Sequence, residues 1–205
     1  MKYKDNHDGQ CMPNFPEKPA SAGILTYFGY IPSPFGPLLA VEEENAITHL
    51  SLSDGGTLLG QFPAGSIRQQ DTPLIVSAKQ QLGEYFLGTR KDFQLPLLPS
   101  GTPFQQKVWD ALCTIPYGET RSYKDIALQI QNPKGCRAVG MANNRNPIII
   151  VIPCHRVIGS NGALVGYAGG LGVKEWLLEH EKKYLPEPVR SFLYNSNIGN
   201  SKKGG

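Results

Sequence analysis

Residues 122–144 read SYKDIALQIQNPKGCRAVGMANN, and this stretch decides how the second half of the chain folds. The Ser122 hydroxyl can accept an amide hydrogen from a first helical turn, so a short helix is expected over Tyr123–Ile130. Asn132-Pro133-Lys134-Gly135 is turn chemistry, and a second helix fits Cys136–Asn144. Helix, four-residue turn with glycine, helix is the outline of a helix-turn-helix, although many helical hairpins with that outline bind nothing. The second helix is thin: Gly135, Cys136, Ala138, Val139, Gly140 and Ala142 are short, and Arg137 is the one long cation among them. A helix with side chains is about 10–12 Å across and the B-DNA minor groove about 6 Å wide, so stripped side chains would let it enter. Close packing inside the domain is the other reading.

Upstream, Thr102-Pro103-Phe104-Gln105 is a capping box with proline at the first helical position. Its helix should turn Val108, Trp109 and Leu112 inward and end before Pro116. Leu95-Pro96-Leu97-Leu98-Pro99-Ser100-Gly101 reads as an extended linker, separating a domain over 23–94 from one over 102–185. In the first domain, Ile24–Ile31, Leu38–Val41 and Ile47–Leu52 alternate with turn residues, as in an antiparallel meander. Thr72-Pro73 then starts a helix whose apolar stripe is Leu74, Ile75, Ala78, Leu82, Tyr85 and Phe86, and Gly88 stops it. The class is α/β. Residues 1–22 form a polar, proline-bearing arm, and 186–205 read as a flexible tail.

Downstream, Pro147–Ile152 is β-branched almost throughout, as a strand covered on both faces would be, and it runs into Pro153-Cys154-His155-Arg156. A thiol attacks as thiolate, and its ordinary pKa of about 8.5 needs a neighbouring base, for which His155 is the obvious candidate. A buried structural cysteine beside a satisfied histidine is the alternative. The glycines of 159–172 allow backbone amides to approach a flat ligand. That stretch has neither GxxxxGK nor a strand-leading GxGxxG, which excludes nucleotide triphosphate and dinucleotide sites. On the helix over 173–181, Glu181 falls between Leu177 and Leu178 on the wheel, at the edge of the apolar face. A carboxylate there needs a partner: either a histidine it orients, or Lys174 or Lys183 at the surface.

The 205 residues are 40% apolar and 18% charged, ordinary for a globular chain. No apolar run approaches the ~20 residues of a membrane span, and Met1-Lys2-Tyr3-Lys4-Asp5 has no hydrophobic signal core, so a cytoplasmic protein is expected, nuclear in a eukaryotic source. Cys11, Cys113, Cys136 and Cys154 show no CxxC pairing, which leaves no zinc site and reads as free thiols. Net charge is −3 over residues 1–100, +4 over 101–185 and +2 over 186–205. A basic second half suits a polyanion bound by one face, or is merely a basic solvated surface.

Ile-Pro-Cys-His-Arg-Val-Ile at 152–158, with Arg137-Ala138-Val139-Gly140 and Asn146-Pro147 before it and Gly169-Gly170-Leu171 and Lys174-Glu175-Trp176-Leu177-Leu178 after it, resembles the O6-alkylguanine-DNA alkyltransferases, also called methylated-DNA–protein-cysteine methyltransferases. The resemblance is strong from Thr102 to about Glu181 and weaker over Gly23–Arg90. It implies a small ribonuclease-H-like α/β domain followed by a mainly helical, winged-helix-like domain with a helix-turn-helix.

It implies repair of duplex DNA by direct reversal, without cofactor, metal or membrane. The protein would bind the minor groove, flip out O6-alkylguanine, and O4-alkylthymine too, and move the alkyl group irreversibly to Cys154 in a single turnover. His155 would draw the thiol proton through a bound water, Glu181 would orient the imidazole, and Asn146 would tie the helix-turn-helix to the cysteine loop. Arg137 would fill the hole left by the base, with Gly135, Cys136, Ala138 and Gly140 on the DNA-facing helix. Tyr123 would press on the target phosphate and meet the flipped base. The carbonyls of Cys154 and Val157 would accept from the guanine amine, and Tyr167 with the amide of Ala168 would line the pocket near O6. Asn143 and Ile149, beside the alkyl group, replace the Met and Pro of some relatives. A cysteine hydrolase and a DNA-binding module with an inert thiol are the competing classes, separable by stoichiometry.

Overall fold

A computed structural model describes residues 25–52, 57–63 and 65–185, together with Lys4–Asp5, Cys11–Met12 and Phe15. β1 (Lys4–Asp5) and β2 (Cys11–Met12) form a two-residue antiparallel ladder. Phe15 packs into the core, so the arm over 1–22 is anchored at that residue. The rest of that arm and the whole tail over 186–205 lie outside the described residues.

The meander forms as the alternation predicts. β3 (Thr26–Ile31), β4 (Leu38–Glu43) and β5 (Ala46–Leu52) pair antiparallel. β4 is buried at every position because it is the central strand, and β4 and β5 join through Glu44 and Asn45, both at positive φ (55° and 58°), a two-residue hairpin turn. A fourth strand, β6 (Ile67–Gln69), lies parallel to β3 and completes the order β5-β4-β3-β6. The sequence reading did not include it, since three mostly exposed residues carry no periodicity.

α1 (Pro73–Phe86) is capped by the Thr72 side chain and packs on β3 and β4 through Ile75, Ala78, Leu82 and Tyr85. Gly29 of β3 permits that approach: a Cβ there would stand 2.8 Å from Ile75 Cγ2. Residues 95–98 are extended, as two prolines dictate, yet Leu95, Leu97 and Leu98 are buried. They hydrogen-bond along β5: Ile47 N–H donates to the Pro96 carbonyl (2.8 Å) and Leu98 N–H to the Ile47 carbonyl (2.9 Å).

The second half is helical: α2 (Pro103–Cys113) with its capping box, a short β7 (Arg121–Ser122), α3 (Tyr123–Gln129), α4 (Cys136–Asn144), β8 (Val157–Ile158) parallel to β7, and α5 (Leu171–Lys183). α3 starts at the capping box of Ser122 with Asp125, and the Gly135 amide bonds the Asn132 carbonyl at 2.8 Å in the intervening turn. Val108, Trp109 and Leu112 of α2 are buried against α3 and α4, and Trp109 Nε1 donates to the Ala142 carbonyl (2.9 Å).

Ile148, Ile149, Ile150 and Ile152 are buried and Val151 is half-buried, but the run is not a strand. Leu50 N–H donates to the Pro147 carbonyl (2.8 Å) and Ile149 N–H to the Leu50 carbonyl (2.9 Å), so one bridge hangs the segment on β5. The chain then coils: Val151 N–H bonds the Ile149 carbonyl (2.8 Å), Ile152 N–H the Ile148 carbonyl (3.1 Å), and Ile150 sits at φ 71°. A β-branched residue in that region is strained by about 1–3 kcal/mol. An apolar run buried all round has no periodicity to separate strand from compact turn. Here the isoleucines plug the space where the cores of the two halves meet, as one continuous cluster.

Candidate active site

Two successive tight turns deliver Cys154. After the Ile150 turn, Cys154 N–H donates to the Ile152 carbonyl (2.8 Å), and Cys154–Arg156 close a single 3₁₀ turn. The thiol is buried, 1% exposed. Asn146, just beyond α4, holds it. Its Nδ2 lies 3.0 Å from Sγ and 2.8 Å from the Ile152 carbonyl, and its Oδ1 accepts from Ile148 N–H at 3.0 Å. Asn143 Nδ2 donates to the Cys154 carbonyl at 3.3 Å, and its Oδ1 is buried without a partner among the described residues.

His155 is fully buried, and its Nε2 faces Glu181 Oε1 at 2.8 Å. A carboxylate there makes Nε2 the protonated nitrogen and leaves Nδ1 with a free lone pair. Nδ1 is buried and has no partner among the described residues. The ring makes no hydrogen bond to Sγ, so what the adjacent positions Cys154 and His155 share is a turn, and the direct thiol contact is Asn146.

Glu181 is fully buried, which removes the surface pairing with Lys174 or Lys183. Its Oε1 also accepts from Tyr85 OH (2.8 Å), Oε2 accepts from Gly118 N–H (2.9 Å), and the Arg156 guanidinium spans both oxygens at 3.0 Å. Burial pushes the carboxyl up, but His155 and Arg156 outweigh it and hold it well below the usual carboxylate range. Burial lowers the His155 pKa against the pull of Glu181. Burial pushes the Cys154 thiol up to about 11, opposed by the Asn146 amide, the Lys174 charge and backbone N–H groups. At neutral pH the resting pair is therefore thiol and neutral imidazole, and thiolate requires proton transfer to His155.

Lys174 is buried on α5 and donates to the carbonyls of Val157 (2.6 Å) and Val165 (3.0 Å). Its pKa is lowered to about 8 by burial, against the pull of Cys154. The Val157 and Cys154 carbonyls named for the base pocket thus already accept side-chain donors, each with a second lone pair to spare. Tyr123 OH donates to the Val165 carbonyl (2.9 Å), closing the 159–166 loop over α3. Tyr167 is buried with its hydroxyl unpartnered among the described residues, and Ala168 beside it is exposed.

On α4 the buried face is Val139, Ala142 and Asn143. Arg137, Ala138 and Met141 face outward, and Arg137 makes no ion pair or hydrogen bond among the described residues. Gly140 lies beneath Tyr123, where an added Cβ would rest 3.7 Å from the ring, in ordinary contact with it. Cys136 and Gly135 are half-buried at the start of the helix. Among the described residues no group of three or more His, Cys, Asp or Glu is placed to hold a metal, and no helix is long and apolar enough to cross a membrane.

Sequence reasoning missed Tyr85, Arg156, Gly118 and Lys174. Lys174 carried a signal, since with Leu177, Leu178 and Glu181 it occupies i, i+3, i+4 and i+7 of the apolar stripe. Tyr85 read as core, which its ring is.

The molecule is thus an α/β domain joined to a helical domain in which a buried Cys-His-Glu cluster lies directly behind a helix-turn-helix. Residues 26–99 match the model of the 6-O-methylguanine DNA methyltransferase ribonuclease-like domain, and residues 103–183 match that of its DNA-binding domain. The chain belongs to this family. It is 50% identical over 159 residues to a methylated-DNA–protein-cysteine methyltransferase of Methanosarcina barkeri, covering 78% of this chain and 99% of the relative. Identity is also 50% over 159 residues to the constitutive enzyme of Bacillus subtilis, covering 77% and 96%. The crystal structure of the Mycobacterium tuberculosis O6-methylguanine methyltransferase superposes with TM-score 0.72 at 42% identity, over 82% of this chain and 99% of that one. A structure of the same protein in complex with DNA gives 0.69 at 43%, over 81% and 99%.

Proposed function

We propose that this protein repairs duplex DNA by direct reversal, flipping O6-alkylguanine, and O4-alkylthymine as well, out of the stack and taking the alkyl group onto Cys154. His155 accepts the thiol proton on Nδ1 through one water, Glu181 orients the ring from Nε2, and Asn146 steadies the sulfur. The thiolate attacks the alkyl carbon, an S–C bond forms as the C–O6 bond breaks, and the departing guanine takes up a proton. No cofactor is needed for this balance. The thioether is stable, so each molecule reacts once.

α4 enters the minor groove, with Gly135, Cys136, Ala138 and Gly140 keeping its profile low and Arg137 filling the space of the extruded base. A base inside the stack cannot reach a buried thiol, so extrusion is obligatory, and it costs a few kcal/mol that Arg137 partly offsets. Tyr123, Val157, Tyr167 and Ala168 line the base pocket.

The observation that carries this reading is the pair of buried contacts Cys154–Asn146 and His155–Glu181 behind a helix whose Arg137 is exposed and has no ion pair or hydrogen bond among the described residues. The test is incubation with duplex DNA holding one O6-methylguanine, followed by intact mass. One added methyl on the peptide containing Cys154, with repaired guanine in equal amount, is the expected result. Repeated turnover would indicate a hydrolase, and label on Cys113 or Cys136 would sink the assignment.

A further inference from the structure

Tyr85 belongs to α1 of the first domain, yet its hydroxyl ends 2.8 Å from Glu181 Oε1, the same oxygen that holds His155. The residue is fully buried. Its ring packs among Phe93 and His180, each with centroids at 5.4 Å, Phe86 at 5.5 Å and Tyr117 at 6.0 Å. His180 Nε2 donates to the Tyr85 backbone carbonyl at 2.8 Å, so α1 and α5 are stapled at this point by backbone and side chain together. A phenylalanine would fill the ring's space equally well. A buried hydroxyl costs free energy unless paired, and among the described residues the only hydrogen-bond partner of this one is the Glu181 carboxylate.

The carboxylate does not require that donor for charge balance, since Arg156 spans both its oxygens and Gly118 N–H holds Oε2. What the fifth donor changes is Oε1. A hydrogen bond drawn onto that oxygen withdraws negative charge from it and weakens its pull on the imidazolium. We infer that Tyr85 is a positioning residue of the alkyl-transfer site, through which the ribonuclease-like domain sets the proton affinity of His155. The inference rests on the function proposed above.

The charged and titratable groups facing His155 and Glu181 are Cys154 and Arg156 from the same turn, Lys174 from α5, Tyr117 from the segment after α2, Tyr167 from the loop before α5, and Tyr85 itself. Burial raises the Tyr85 hydroxyl well above its usual pKa, so it stays a donor throughout the working range. Arg156 is charged throughout that range. Lys174, lowered to about 8 by burial, titrates on the alkaline side, which leaves the His155–Cys154 proton as the one that moves along the acid limb.

The test is the single-turnover rate of methyl transfer from duplex DNA, measured against pH for the full chain and for Tyr85→Phe. The acid limb reports protonation of His155. Removing the hydroxyl makes Oε1 more basic and favours imidazolium, so the limb should move to higher pH by roughly half a unit. Fluorotyrosine at position 85, a stronger donor of nearly the same shape, should move it to lower pH. In a Glu181→Gln background, Tyr85→Phe should move nothing further.

An unmoved limb in folded Tyr85→Phe, or the same direction of shift for both replacements, would overturn the inference. If Tyr85→Phe folds but transfers too slowly to profile, the His155 titration followed by NMR carries the same prediction, and its absence there overturns it. Failure of the wild-type chain to take up a methyl group is a different result and removes the proposed function instead.

Discussion

The outward face of α4 and the turn at Cys154–Arg156 are separated by little more than Asn143 and Asn146, yet physically they are opposites. The first is exposed, poor in side chains and carries a cation without a partner among the described residues. The second is buried, and Glu181, which faces it from α5, is saturated with donors. Recognition at a solvated face tolerates change one contact at a time. A buried cluster of charges does not, because each group removed leaves another uncompensated. The Cys154 thiol, raised to about 11, is also protected: on the function proposed above, at neutral pH it becomes a nucleophile when its proton passes to His155.

The sharpest way to break the comparison is to remove the thiol alone. Cys154→Ala should abolish methyl transfer while leaving duplex affinity within about twofold, since no α4 surface group changes. Intact mass and fluorescence anisotropy measure the two halves. Loss of both together would mean that face and centre are one unit.

Next in size is Glu181→Gln. The amide cannot accept all five donors, and Arg156 keeps a buried charge facing a neutral group, with the Ile115 carbonyl (2.6 Å) and the Tyr117 ring (5.7 Å to its centroid) beside it. Breaking a buried pair in this way costs about 3–5 kcal/mol. Chemical denaturation should show that loss. Transfer should also slow at neutral pH and partly recover at alkaline pH, where the thiol ionises without His155. An unchanged denaturation midpoint would show that the cluster is as tolerant as the α4 face.

How much of this was legible in the sequence follows the same division. Caps and turns are local, so Thr72, Thr102 and Ser122 placed three helix starts, and Asn132–Gly135 placed the turn of the helix-turn-helix. Glu181 was legible as a misfit on an apolar stripe. Its partners were not, because Tyr85 lies 96 positions away and looks like any core aromatic. The run over 148–152 misled because burial on all sides erases the period that separates a strand from a coil, and nothing local announces the positive φ of Ile150.

A smaller effect belongs to the recognition face. Arg137→Ala should slow repair in duplex DNA roughly ten- to hundredfold, a share of the few kcal/mol that unstacking costs. Reaction with free O6-methylguanine base, where nothing is extruded, should be unchanged. Equal losses on both substrates would place Arg137 in the chemistry or the fold.

The smallest effect separates the two regions by pH, and its sign follows from linkage. His155 has a lowered pKa in the fold, so the unfolded chain binds the extra proton and stability falls as pH drops below about 6.5. Glu181 is held down as well, so its contribution is complete above about 4.5 and is lost as pH falls further. The thiols act at the other end. Cys154 is raised from 9.0 to about 11 and Cys113 to about 12, so the unfolded chain loses those protons first and stability declines as pH rises past 9. Lys174, lowered to about 8, and Asp110, raised to about 6, act with the opposite sign on the alkaline and acid sides, so the thiol contribution is read from variants: in melting temperature against pH, Cys154→Ala should flatten part of the alkaline decline while Arg137→Ala leaves the curve's shape unchanged. An Arg137→Ala curve altered as much as that of Cys154→Ala would erase the distinction between face and centre.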